Sequence, residues 1–175
     1  MNKYYRILDK ILATGKTQTN KKGNIQYLLN EQLSLTPADL LDIFEGHNIA
    51  RKKLRSELQL FMQGERNVEK YREAGINWWD YFGSILVNSY PTYFEKLPPL
   101  IAKINRERRN SKNYVLFLGE TGAESNQAPC LSLVQFQLDG GELVLSAYQR
   151  SSDANLGLPS DTVSYTHLRA HETTL

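Results

Sequence analysis

The chain has little sulfur and little histidine. Cysteine occurs once in 175 residues, at Cys130, which excludes an internal disulfide and the zinc patterns built on paired thiols. Charge of one sign is also lacking. The net charge is +2 and the basic residues are scattered, with one dense cluster over residues 105–112. A groove for polymeric nucleic acid therefore gains little support, although a small phosphorylated ligand needs far less charge. Nothing resembles a signal peptide and no apolar run is long enough to span a bilayer, so the chain is expected in the cytoplasm and off the membrane.

What is present suffices for one domain. A content of 41% hydrophobic and 10% aromatic residues can bury the core of a single enzyme-sized unit. Ile7, Leu8, Ile11 and Leu12 share one helical face that Gly15 terminates. Thr36 as N-cap, Pro37 at the first helical position and Asp39 in the first turn announce a second helix, closed by Gly46. Between the two, turn chemistry around Gly23 followed by short apolar alternation predicts one or two strands. A third helix over 49–62 uses Leu54, Leu58 and Phe61, a short fourth covers 67–75, and the aromatic stretch 76–83 has no clear period. A fifth helix begins near Pro98 and Pro99 and runs through Leu100, Ile101 and Ile104. The pattern then changes to strands: one over 113–119, and a hairpin of 130–138 with 142–150 around a glycine turn. Helices first and strands later predict an α+β fold.

Two residues stand out by position. With the turn centred on Gly140, Cys130 faces Arg150 at the open end of the hairpin. A neighbouring cation favours the thiolate, the form that attacks carbon, whereas a lone cysteine also serves as a small core hydrophobe. The residues leave both open. Glu57, three residues after Leu54 and next to Leu58, lies on the apolar stripe of its helix. Burial tunes a carboxyl for general acid or base work, while a slight rotation of the helix would place Glu57 at the edge of the core.

The run from Ala128 to Asp161 holds a proline-cysteine strand, a Gln-Phe-x-Leu continuation, and the sequence Gln-Arg-Ser-x-Asp-x-x-Leu-Gly-Leu-Pro over 149–159. It resembles the signature of the thymidylate synthases and their relatives, the deoxycytidylate hydroxymethylases. Residues 4–23, 57–83 and 88–94 agree more loosely, so the resemblance spans nearly all of 1–161. It implies a thymidylate synthase-like α+β fold, with N-terminal helices packed on a mixed β-sheet and the C-terminal part missing. The implied chemistry is one-carbon transfer from 5,10-methylenetetrahydrofolate to C5 of a pyrimidine nucleoside monophosphate, dCMP or dUMP, without a metal and within a homodimer.

In that frame Cys130 would add to C6 of the base as a thiolate and Glu57 would organise water and proton transfers. Arg150 and Ser151 would hold the phosphate. Lys21 and Lys112 stand where the family has arginines, charges without the forked contact. Tyr90 would lie near the reacting base, and Trp79, Asp153 and Gly157 would contact the folate. Asp161 replaces an asparagine of the synthases; a carboxyl suits the amino group at C4 and the acceptor at N3 of cytosine, which tilts the expectation towards dCMP hydroxymethylation. A dUMP-methylating synthase is one alternative. Another, of a different class, is a catalytically inactive nucleotide-binding homologue or truncated fragment, to which the replaced arginines point. A third is an oligomerisation module whose thiol only packs.

The segment from Val163 resembles an in-frame translation of a sequencing adapter. The family domain is thus expected over 1–161, with 162–175 a non-native tail and the chain as it stands inactive. His167, His171 and Glu172 are accordingly not counted as metal ligands.

Overall fold

The computed structural model describes residues 2–20, 23–47, 49–119 and 129–164. They belong to two compact units, one formed by the described residues among 2–49 and 153–163, the other by those among 50–152 together with Ser164.

The first unit contains α1 (Lys3–Thr14), the antiparallel hairpin β1 (Lys16–Asn20) and β2 (Gly23–Tyr27), α2 (Pro37–Gly46), and residues 157–163 of a helix over 157–164. Asn2 caps α1 by accepting from the Tyr4 amide at 2.9 Å, and its own amide donates to the Asp39 carbonyl at 2.8 Å, tying α1 to α2. A capping box opens α2: the Thr36 hydroxyl accepts from the Asp39 amide, and the Asp39 carboxylate accepts from the Thr36 amide at 2.9 Å. That backbone bond from Thr36 holds the Asp39 carboxyl below the usual carboxylate range. Gly46, expected just past the helix, lies in its last turn, and His47 is the C-cap. Tyr4 is fully buried and its hydroxyl donates to the Ala154 carbonyl at 2.8 Å; burial pushes its phenol up. Ile43, Thr162 and Val163 are buried in the same unit.

The second unit contains α3 (Arg51–Met62), α4 (Val68–Glu73), a 3-10 turn (Asp80–Phe82), α5 (Tyr90–Phe94) and α6 (Leu97–Glu107), followed by β3 (Val115–Phe117), β4 (Leu131–Asp139) and β5 (Glu142–Gln149). The strands form one antiparallel sheet in the order β3-β4-β5. Helices and sheet share a core in which Phe61, Tyr71, Leu97, Tyr114 and Phe136 are buried. The α+β class and the helices-on-sheet arrangement stand. Among the described residues both sheets are antiparallel, without the parallel pairing that a mixed sheet contains. No helix among them is long and apolar enough to cross a membrane.

The β4–β5 hairpin places the ends of the strands, and its register has one irregularity. Asp139 pairs with Glu142 and Leu133 with Tyr148, but Leu131 pairs with Gln149, a bulge between Leu131 and Leu133. The extra residue resets the inward face: Leu131, Val134 and Phe136 are all buried, which strict alternation forbids. At the other end the two-residue turn has φ 57° at Gly140 and 87° at Gly141, the left-handed pair that a tight hairpin requires.

A side chain at either glycine would meet nothing within 4 Å, so substitution there tests backbone conformation alone. Gly140→Asn should leave stability nearly unchanged, because asparagine tolerates this region. Gly141→Ala should lower it by about 1 kcal/mol or more. Urea denaturation midpoints of the two variants check the contrast.

Candidate functional site

Glu57 is the anchor. It sits on the inward face of α3 with Leu58 and Phe61, and is 9% exposed. A buried carboxylate oxygen needs donors, and the segment after α4 supplies two: Trp78 Nε1 and Trp79 Nε1 each donate to Glu57 Oε1 at 2.6 Å. The segment is led there by Ile76, which is fully buried. It is held by Asp80, whose carboxylate accepts from Arg72 Nε of α4 at 2.9 Å.

Trp79 leads on to the rest of the cluster. Its ring lies edge-on to Phe61 at 5.7 Å and to Tyr90 at 5.9 Å, and packs against Phe82 at 5.5 Å and Tyr71 at 6.3 Å. Tyr90, at the start of α5, accepts through its hydroxyl from the Leu131 amide at 3.3 Å. A continuous path therefore runs from Glu57 through Trp79 and Tyr90 to the first residue of β4, next to Cys130. Tyr71 lies beneath it and donates to the Glu65 carbonyl at 2.7 Å. Burial, then the charges of Glu57 and Glu65, push its phenol well above the ordinary range.

Cys130 and Arg150 do stand opposite each other: the Arg150 amide donates to the Cys130 carbonyl at 2.9 Å. The expected chemistry is nevertheless corrected. Cys130 is exposed, because strand alternation turns it outward from its buried neighbour Leu131. Covalent addition to C6 needs a nucleophile fixed against the ring in a site that excludes water, and an outward thiol offers neither. One-carbon transfer through Cys130, and with it the tilt of Asp161 towards dCMP hydroxymethylation, is overturned by this exposure. Exposure equally rules out the reading of Cys130 as a core hydrophobe. The Arg150 side chain donates from Nε to the Pro129 carbonyl at 3.1 Å, a bond that closes the hairpin mouth.

Ser151 follows Arg150 and is exposed. Lys112 is exposed ahead of β3, its carbonyl accepting from Gln135 Nε2 at 3.1 Å. Asp153, Gly157 and Asp161 belong to the first unit. The Asp153 carboxylate accepts from the Asn155 and Leu156 amides at 2.9 Å each, ahead of the helix over 157–164. A Cβ at Gly157 would meet Asp153 Cβ at 3.5 Å, an ordinary contact, and Asp161 is half-buried in the helix. Lys21, His167, His171 and Glu172 lie outside the described residues. Among the described residues no three His, Cys, Asp or Glu side chains are grouped to hold a metal.

The structure thus joins Glu57, Trp79 and Tyr90, and adds Trp78 and Tyr71, with Phe61, expected only on the apolar face of its helix. Trp78 was discoverable: Trp78 and Trp79 are the only two tryptophans of the chain and they are adjacent. Residues 2–174 match the family model described as thymidylate synthase.

Two outcomes test this cluster. Glu57→Leu should cost about 1–3 kcal/mol by leaving the Trp79 N–H without its acceptor, and Glu57→Gln, which keeps an oxygen, should cost less; chemical denaturation measures both. A phenol whose folded pKa is raised contributes stability fully below its unfolded pKa and loses it as pH rises through the folded value. Stability should therefore fall with pH above about 10, and Tyr71→Phe should flatten that slope in denaturation curves collected across the alkaline range.

Proposed function

We infer the function of this chain from one premise: it belongs to the thymidylate synthase family, whose members are folate-dependent transferases acting on pyrimidine nucleotides. Its role is that of a nucleotide-binding homologue, which takes up a pyrimidine nucleoside monophosphate without forming a covalent adduct. One observation carries this reading: the Glu57–Trp79–Tyr90 cluster is assembled, while the thiol that would be the nucleophile is exposed.

A buried acceptor beside aromatic walls suits a flat polar ring. Glu57 and Tyr90 are the groups for the base, and Arg150 with Ser151 are those for the phosphate; Lys112, level with the far end of β4, lies too far along the strands to join them within one chain. A charged fork beside a hydroxyl is the usual chemistry of phosphate recognition. Trp79 is the candidate wall for 5,10-methylenetetrahydrofolate. Its N–H bond to Glu57 and its four ring neighbours make it a fixed wall.

The partner is a second copy of the chain. Phe117, Leu133 and Tyr148 stand in one row across β3, β4 and β5. Phe117, Tyr148 and, further along that face, Val144 are exposed. The row of Phe117, Leu133 and Tyr148 is an exposed apolar strip of the sort that association covers, with Gln135 and Ser146 separating it from Val144.

Equilibrium dialysis with dUMP and with dCMP tests binding. Denaturing mass spectrometry after incubation with the 5-fluoro analogues and methylenetetrahydrofolate tests turnover. The expected result is retention of at least one nucleotide, no mass increment on the protein, and retention unchanged within about twofold by Cys130→Ala. A covalent adduct at Cys130 overturns the absence of turnover, and failure to retain either nucleotide overturns the binding role.

A further inference from the structure

The two indoles on Glu57 are chemically identical donors in unlike surroundings. Trp79 is half-buried and held by four rings. Trp78 is 44% exposed and takes part in none of the ring contacts found among the described residues. Both converge on a single oxygen, Oε1, at 2.6 Å.

The cost of losing each bond therefore differs. If Trp79 let go, its N–H would be left inside an aromatic cluster with no acceptor, and a buried unpaired donor carries its whole desolvation penalty. If Trp78 let go, solvent could satisfy its N–H, and the remaining indole would keep Oε1 paired. Two donors crowding one oxygen also repel each other, since their hydrogens carry like partial charge. Release of the outer one relieves that repulsion.

We propose that Trp78 is the exchangeable partner of Glu57, a specificity-determining residue whose indole yields Oε1 to an incoming N–H donor while Trp79 stays in place. For its ligand the inference rests on the binding role proposed above, the donor then being an N–H of the pyrimidine base. A carboxylate holding one fixed indole accepts a further N–H and repels a carbonyl oxygen presented to the same spot. Trp78 thus keeps the acceptor paired when no ligand is bound and sets a threshold that only a donor-bearing ring crosses.

Because the chain has two tryptophans, the indole ¹⁵N–H spectrum contains one signal from each, and Trp78→Phe assigns both. In the ligand-free protein the Trp78 N–H should exchange with solvent at least about tenfold faster than that of Trp79. Titration with dUMP, with dCMP, and separately with acetamidinium, a small N–H donor, should move the Trp78 signal and leave that of Trp79 in place. Trp78→Phe should bind nucleotide about tenfold more tightly, the worth of one hydrogen bond to a charged group.

Equal protection of the two indoles, movement of Trp79 in place of Trp78, or weaker binding by Trp78→Phe overturns the inference. Movement of Trp78 with acetamidinium but with neither nucleotide upholds the exchange and overturns the nucleotide role. The two failures are thus distinguishable.

Discussion

One oxygen atom organises the second unit. Glu57 Oε1 lies inside α3's apolar face and must be paired. By accepting both tryptophan N–H groups it draws the segment 76–82, which has no periodicity of its own, onto the helix. Trp79 so placed becomes one wall of a ring cluster with Phe61 and Tyr90, and Tyr90 in turn reaches the opening amide of β4. Helix, turn and strand are registered by one polar contact at the centre of apolar packing. Such contacts specify an arrangement more sharply than burial alone, because hydrophobic contact is non-directional whereas an unpaired buried acceptor tolerates few alternatives.

The hairpin beside this cluster shows how a single inserted residue decides the chemistry available at a site. The bulge between Leu131 and Leu133 lets Leu131, Val134 and Phe136 all face the core. With Leu131 inward, the residue before it turns out. Cys130 meets Arg150 through backbone pairing, yet its side chain faces solvent. Facing partners across a ladder establish proximity of main chains; the pleat, not the pairing, decides whether a side chain enters a site.

Legibility of this fold from sequence follows the same division between local and non-local causes. The start of α2 was readable because Thr36, Pro37 and Asp39 act on their own backbone, and the Gly140–Gly141 turn because its left-handed conformation favours glycine. Glu57 was readable as a misfit, a carboxyl on an apolar stripe. Its partners were not, since two adjacent tryptophans carry no period and their convergence on one oxygen is a tertiary event. The five residues of α5 are fewer than two helical turns, too short for any face to repeat. The bulge left no mark, because an extra residue in a strand resembles every other residue of that strand. The opposition of Cys130 and Arg150 came from counting back from the turn, but counting said nothing of the face, and there the expected chemistry failed.

The signature over 149–159 is continuous in sequence, but its residues belong to two structural units. Arg150 ends the hairpin in one, bonding through Nε to the Pro129 carbonyl. Asp153 lies in the other, where its carboxylate pairs with the amides of Asn155 and Leu156. Both interactions serve folding, since the first closes a strand pair at its open end and the second satisfies amide donors ahead of a helix. Neither of them calls for a reacting thiol. A chain can therefore carry this signature for what it does to the backbone. Covalent chemistry would depend on which way the side chain of Cys130 points, and that is set by the chain just ahead of β4, outside the letters of the 149–159 motif.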